Sequence, residues 1–212
     1  MKFNNIKAML FDIDGTLIDT TDLILSCYKH TFKTHSIVPK RREEILKVFG
    51  YPLEKCYEIL CPKENIEMLC ETHLSFQEKN LHLCKIFPGV INTLRVLRNN
   101  GIKIAAISAR SKRTTGKTLE RTGLAKYIDV VISREDTVNS KPSPEPLLLA
   151  LNNLGVDPTY AIMVGDTEID VKAGNSAGIK TIGVTYGPLG DIVKKANPDV
   201  TASSASEIIR YL

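Results

Sequence analysis

The sequence predicts an α/β protein, a doubly wound (Rossmann-like) parallel sheet with an inserted helical domain. From residue 86 onward, short apolar runs alternate with amphipathic stretches, which is typical of parallel strands joined by helical crossovers. Residues of about 20 to 84 lack this alternation and show helical patterns instead. We therefore expect an α/β core made of residues 1–18 and 86–212, and a helical cap domain made of residues 19–85.

The predicted strands are short apolar runs that would be buried on both faces of the sheet. The helices between them carry their own end signals, since Gly101 suits the end of a helix over 90–100, and Ser143 can cap a helix that begins with Pro144. In the insert, Thr21 or Asp22 can cap a first helix. The predicted strands cover residues 6–10, 102–107, 128–132, 161–164 and 179–184, and the further insert helices cover roughly residues 43–49, 53–60 and 64–80.

Composition excludes several classes of protein. The chain has 212 residues and a net charge of +4 without a basic tail, so we expect no nucleic-acid partner. An apolar run of about 20 residues, as a transmembrane helix needs, is missing from the sequence, so we expect no membrane partner, a cytoplasmic location and, by default, a monomer.

Cysteines and histidines in the first half of the chain could in principle form a zinc site. The group comprises Cys70, His73, His82 and Cys84, and its spacing fits no CxxC-type pattern. Five cysteines, an odd number, also argue against a closed disulfide framework. Core thiols and surface imidazoles are therefore the favoured interpretation.

Two carboxylates follow the first predicted strand. Asp12 and Asp14 lie two residues apart, so an extended chain points them to the same side. Such a pair needs a cation, a shared proton or a phosphoryl group between its members. Gly15 then allows a sharp turn. An acidic turn explains this segment equally well when it is taken alone.

Other polar residues follow the remaining predicted strands. Ligands bind outside the carboxyl ends of the strands in an open parallel sheet, so residues at those ends should meet. This rule gathers a hydroxyl, an ammonium and four carboxylates on one edge. Besides the first two aspartates, they are Ser108, followed by Ala109 and Arg110, then Lys141 before Pro142, and Asp166 and Asp170.

These residues make the chain resemble the haloacid dehalogenase superfamily, specifically its phosphoglycolate phosphatase-like phosphatases with a helical cap between motifs one and two. The DxDGT stretch from Asp12, Ser108, the Lys141–Pro142 pair and the GDxxxD stretch around Asp166 match the four family motifs in order. In one departure, Ala109 stands where the family often has asparagine, so a contact from that side chain is lost.

The resemblance implies roles for the acidic residues. Asp12 would attack phosphorus to form an aspartyl-phosphate, and Asp14 would protonate the leaving oxygen and then deprotonate water. Mg²⁺ would be held by the Asp12 carboxylate, the Asp14 backbone carbonyl and Asp166. Asp170 would orient a metal-bound water or the Lys141 side chain.

It also implies a phosphate-binding set. The Ser108 hydroxyl, the backbone amides of Ala109 and Arg110, and the Lys141 ammonium would neutralise the phosphoryl oxygens. Ser108 as a simple strand-end cap stays open as an alternative. Residues 50–53 resemble a cap loop that faces the active site, although an interhelical turn explains them equally well.

The expected function is therefore Mg²⁺-dependent hydrolysis of a small phosphorylated metabolite, with phosphoglycolate as the nearest familial substrate. Alternatives are an inorganic pyrophosphatase and a phosphosugar mutase similar to β-phosphoglucomutase. A non-catalytic phospho-aspartate signalling or regulatory protein is an alternative of another class. The insert between Asp14 and Ser108 argues against it.

Overall fold

A six-stranded parallel sheet forms the centre of the molecule in the computed structural model, which describes residues 2–212. The strands follow the order β5-β4-β1-β6-β7-β8, and each neighbouring pair is parallel. The predicted α/β fold class is thus confirmed. The strands are β1 (Ala8–Asp12), β4 (Lys103–Ile107), β5 (Val130–Ile132), β6 (Ala161–Gly165), β7 (Lys180–Val184) and β8 (Val200–Ala202).

Strand β1 lies in the middle of the sheet and is buried on both faces. Met9 and Phe11 point into one apolar cluster, and Ala8 and Leu10 point into the other. All five residues of the strand are buried, but the strand begins and ends two residues later than the predicted range 6–10, so Asp12 belongs to it. Strands β4 and β6 flank β1, so the chain crosses from one side of the sheet to the other at this point. Such a switch point opens a crevice at the carboxyl ends of the strands.

Eight α-helices accompany the strands in the described chain. Four of them, α1 to α4, belong to residues 19–85, which we call the helical insert and which have their own apolar cluster around Tyr28, Phe32 and Tyr57. The helices are α1 (Thr21–Thr34), α2 (Arg42–Leu46), α3 (Leu53–Leu60), α4 (Ile66–Lys79), α5 (Val90–Asn99), α6 (Lys112–Thr122), α7 (Glu145–Leu154) and α8 (Glu168–Ser176).

The two connections of the helical insert pair with each other. Strand β2 (Ile18–Asp19) is antiparallel to β3 (Lys85–Ile86), and this forms a separate two-stranded sheet. The pairing fastens together the two points where the chain leaves and re-enters the sheet domain. The division into a core and a cap domain stays a prediction.

Several boundaries differ from the predicted ones. Helix α1 begins at Thr21, and the Asp19 carboxylate accepts the Thr21 amide at 3.0 Å, so neither Thr21 nor Asp22 is the cap. Helix α2 ends at Leu46, earlier than predicted. Strand β8 was missed because three residues at a sheet edge give little periodicity. Within residues 2–212, no helix combines the length and apolar character needed to cross a membrane.

Candidate active site

The predicted site residues meet at the carboxyl ends of the three central strands. Asp12 is the last residue of β1, Ser108 directly follows β4, and Asp166 directly follows β6. Lys141 comes from the segment between β5 and α7, and its peptide bond to Pro142 is cis. The edge of the sheet thus brings together residues that are up to 158 positions apart, counted from Asp12 to Asp170.

Lys141 forms the centre of a buried ionic cluster. Its Nζ donates to Asp12 Oδ1 at 2.6 Å and to Asp170 Oδ1 at 2.6 Å. Burial by itself would favour the neutral amine, but the two carboxylates outweigh it and raise the pKa of Lys141. The lysine therefore stays charged and fixes the Asp12 carboxylate in position.

Asp170 is held from both sides by neighbouring groups. Its Oδ2 accepts the Thr167 hydroxyl at 2.6 Å and the Thr167 amide at 3.1 Å, while Oδ1 accepts Lys141. Thr167 and Asp170 form the capping box of α8. With both of its oxygens engaged, Asp170 contacts Lys141 directly, and its supporting role in catalysis stays a prediction.

Asp166 has an unused oxygen in the same cluster. Its Oδ1 accepts the Thr16 hydroxyl at 3.4 Å, whereas its buried Oδ2 has no hydrogen-bond partner among residues 2–212. Carboxylate oxygens of Asp12, Asp166 and Asp170 lie within 4.8 Å of one another. Burial, followed by the charges of Asp12 and Asp170, raises the pKa of Asp166 well above its usual value.

This cluster suits a divalent cation. Burial is also the main cause that raises the pKa of Asp12 to about 8, despite the neighbouring Lys141. Three buried carboxylates and one ammonium leave an excess of negative charge, and a hard cation with oxygen ligands would balance it. The orphaned Asp166 Oδ2 is the atom best placed to serve as a ligand. The residues present therefore fit the predicted Mg²⁺.

Gly15 makes this close approach possible. Its φ of +90° lies in the left-handed region, and a Cβ at this position would collide with the Asp166 carboxylate. Only glycine lets the turn after Asp14 pass so near the acidic cluster. The predicted turn is therefore also part of the site.

Asp14 pairs with Arg110 and stands apart from the acidic cluster. Arg110 Nη1 donates to Asp14 Oδ1 at 3.3 Å, and the two side chains are about 11% and 21% exposed. Spacing could not have revealed this contact, because the residues are 96 positions apart. Asp14 is only partly buried, and its role as the acid stays a prediction.

The loop after β4 has a defined turn. The Ser108 hydroxyl accepts the Arg110 amide at 3.1 Å, and the Ser108 amide donates to Ile132 O at 2.9 Å. Ser108 is buried, so its hydroxyl shapes the loop as a strand-end cap would. The same bond occupies one of the two amides that the resemblance assigned to phosphate. The phosphate-binding role of this loop stays a prediction.

A cavity of about 420 Å³ lies between the acidic edge and the helical insert. Asp12, Asp14 and Arg110 line it on the sheet side, and Tyr28 and His73 are among the residues that line it from the insert. Gly50, Tyr51 and Leu53 also contribute to its wall, so the loop between α2 and α3 faces the site.

None of the residues His73, Gln77 and Arg134 was predicted at this cavity, and the interpretation of His73 as a surface imidazole was wrong, because the side chain is buried. His73 and Gln77 are one turn apart on α4, so they share a helix face, and Arg134 follows β5. His73 Nδ1 bonds the Tyr57 hydroxyl at 2.9 Å, and burial, together with the charge of Arg110, lowers the pKa of His73 to about 3. The sequence shows that His73 and Gln77 share one face of a predicted helix, but it does not show that this face of α4 meets the sheet domain.

The fold and the acidic edge define a hydrolase class. Residues 9–184 match the family described as haloacid dehalogenase-like hydrolase, and the chain belongs to this family. Together with the relatives described next, this match shows an enzyme of the phosphatase type, which argues against the non-catalytic signalling or regulatory alternative.

Individual relatives are similar over the whole chain. A protein of Clostridium perfringens is 40% identical over 210 residues, which cover 96% of each chain. Pyrophosphatase PpaX of Halalkalibacterium halodurans is 35% identical over 205 residues, which cover 96% of this chain and 95% of the relative. A haloacid dehalogenase-like family hydrolase from Streptococcus pneumoniae shares the fold, with a TM-score of 0.88, 23% identity and 99% of both chains covered.

Proposed function

We propose that the protein hydrolyses a small phosphorylated metabolite through an aspartyl-phosphate on Asp12, with Mg²⁺ as cofactor. The observation that carries the proposal is the Lys141 bridge, which fixes Asp12 at 2.6 Å beneath the cavity. A carboxylate held in this way has little freedom to lose when it attacks an in-line phosphorus. The orphaned Asp166 Oδ2 beside it supports the proposed cofactor.

In the first step, an oxygen of Asp12 forms a bond to phosphorus as the bond to the leaving oxygen breaks. Asp14 gives its proton to that oxygen, and Lys141 with Ser108 stabilises the charge on the phosphoryl group. In the second step, Asp14 takes a proton from water, which attacks phosphorus and releases Asp12. Asp12, Asp166 and the Asp14 carbonyl would hold Mg²⁺, which supplies positive charge against the repulsion between nucleophile and substrate.

Inorganic pyrophosphate is a second candidate substrate. Two arginines, Arg110 and Arg134, line the cavity beside Asp14, and a guanidinium is well suited to bind a phosphate. The relative from Halalkalibacterium halodurans is named a pyrophosphatase. Mutase activity, the remaining alternative, is tested by isomerisation of a glucose phosphate.

The decisive experiment measures phosphate release from phosphoglycolate, pyrophosphate and p-nitrophenyl phosphate with and without Mg²⁺. We expect Asp12→Asn to abolish release from all of them, while the exposed Asp191→Asn keeps the activity. Acid-quenched protein should carry labelled phosphate only when Asp12 is present. Equal release by the wild type and Asp12→Asn would refute the proposal.

A further inference from the structure

Arg110 is a buried cation with unused donors. Its side chain is about 11% exposed, and only Nη1 has a bond, to Asp14 at 3.3 Å. Nε and Nη2 are buried and find no acceptor within the described residues 2–212. Buried donors without partners are costly, and native proteins contain few of them. The unused nitrogens therefore indicate that an acceptor is supplied by a ligand.

Gln77 shows the same feature on the opposite wall. This residue of α4 is about 5% exposed, and its Oε1 has no partner in the part of the chain that the structure describes. Gln77 and Arg110 line the same cavity, one from the helical insert and one from the loop after β4. Rotation of the amide by 180° would present its NH₂ group in place of Oε1.

Arg134 adds a third unsatisfied group. Its buried Nε also has no partner among the residues described, and its amide donates to Arg110 O at 2.9 Å. The loops after β4 and β5 thus bring two guanidinium groups to one side of the cavity. Planar guanidinium groups bind carboxylate and phosphate oxygens with paired hydrogen bonds. The missing ligand should therefore carry negatively charged oxygens.

The position of Arg110 gives the place of that group in the substrate. In the proposed reaction Asp14 protonates the leaving oxygen, so its neighbours lie on the leaving-group side. Arg110 contacts Asp14 directly, whereas Lys141 contacts Asp12 on the phosphoryl side. Two cationic sites are thus separated by the pair of aspartates, one for the transferred phosphoryl group and one beyond it.

Building on the function proposed above, we propose that Arg110 and Gln77 select substrates whose leaving group carries a second anionic group. A phosphate, as in pyrophosphate, and a carboxylate close to the ester oxygen, as in phosphoglycolate, offer this chemistry. When such a group binds, Arg110 can exchange its contact with Asp14 for the ligand. Asp14 Oδ1 is then free to take up a proton from solvent and to pass it to the leaving oxygen, so binding of the second anionic group also frees the carboxyl that acts as the acid.

The test compares kcat/KM for pyrophosphate, phosphoglycolate and p-nitrophenyl phosphate, whose leaving group lacks an anion. For Arg110→Gln we expect the values for one or both anionic substrates to fall roughly 10- to 100-fold relative to p-nitrophenyl phosphate, the range of a charged hydrogen bond. Gln77→Glu should shift the ratio in the same direction, because its carboxylate would compete for Arg110. The exposed Arg95→Gln is the matched control for charge.

The anionic substrate that loses most identifies the second group as phosphate or carboxylate. Equal losses on all three substrates, or unchanged ratios in both variants, would overturn the selection by Arg110 and Gln77 while leaving the hydrolysis intact. Calorimetric binding of methylenediphosphonate with Mg²⁺ gives a readout without turnover, and Arg110→Gln should weaken it by a similar factor. Wild-type protein inactive on every substrate would instead refute the proposed function itself.

Discussion

Replacing His73 with glutamine should change how stability depends on pH. Burial lowers the pKa of His73 to about 3, whereas an unfolded histidine titrates near 6.5. Below about pH 6.5 His73 is therefore protonated in the unfolded chain but stays neutral in the folded chain. The contribution of neutral His73 to stability is complete above pH 6.5 and is lost progressively as pH falls toward 3.

The expected size follows from these two values. Between pH 7 and pH 5 the unfolded histidine takes up most of a proton, which costs the wild type about 2 kcal/mol at roughly 1.4 kcal/mol per pH unit. His73→Gln lacks this loss, but weakens the 2.9 Å bond to Tyr57, at a cost of about 1 kcal/mol at either pH. The variant should thus be less stable than the wild type at pH 7 and as stable or more stable at pH 5.

Urea unfolding at pH 5, 6 and 7 measures this difference. Tyr57→Phe removes the same hydrogen bond but keeps the imidazole, so it should retain the wild-type dependence on pH. The exposed His82→Gln should do the same. If the stability difference between the wild type and His73→Gln is constant from pH 7 to pH 5, His73 is not held neutral and the reasoning fails.

Three further substitutions test the site and the contact between the insert and the sheet domain. Lys141→Met leaves a buried carboxylate cluster without its cation, so we expect the free energy of unfolding in the presence of a chelator to fall by about 3–5 kcal/mol and Mg²⁺ to restore part of it. The exposed Lys172→Met should change neither the stability in chelator nor the effect of Mg²⁺, and equal Tm values for Lys141→Met and wild type in EDTA would contradict the reasoning. Gly15→Ala should lower activity by about 100-fold or more, because the added Cβ displaces Asp166, whereas Gly155→Ala, with φ +64° and open space around its Cβ, keeps it. Glu78→Gln removes the ion pairs from the insert to Arg113 and Lys117 of α6, at 2.7 and 3.3 Å. We expect KM to rise about two- to fivefold and to depend less on salt, while the free energy of unfolding changes by less than about 1 kcal/mol.

The sheet-edge part of the site could be predicted because one rule of topology determines it. Carboxyl ends of neighbouring parallel strands share an edge, so the polar residues at those ends, Asp12, Ser108 and Asp166, had to lie near one another. The Thr167–Asp170 capping box was not among the predicted features, although its two residues stand at the spacing of a local pattern. The same rule does not specify which side chains form hydrogen bonds with one another. The two bonds from Lys141 to Asp12 and Asp170 could therefore not be predicted from the sequence.

The insert side of the site could not be predicted in the same way. Gln77 and His73 reach the cavity because α4 turns one face toward the sheet domain, and an amphipathic pattern does not specify which partner a face meets. The Arg110–Asp14 pair likewise depends on a turn that the Ser108 hydroxyl closes. Strands β2 and β3, with two residues each, are too short to leave a periodic signal.

Helix α6 links the two halves of the proposed leaving-group site. It begins at Lys112, directly after the loop that carries Arg110, and the Ser111 side chain caps it. Arg113 in its first turn and Lys117 about one turn later both pair with Glu78, the residue next to Gln77 on α4. Consecutive helix residues point about 100° apart, so Gln77 can face the cavity while Glu78 faces α6. These ion pairs hold α4 beside α6, next to the two residues of the proposed leaving-group site. An opening of the insert would move Gln77 away from Arg110, whereas Lys141 and Asp12 both belong to the sheet domain and would keep their contact.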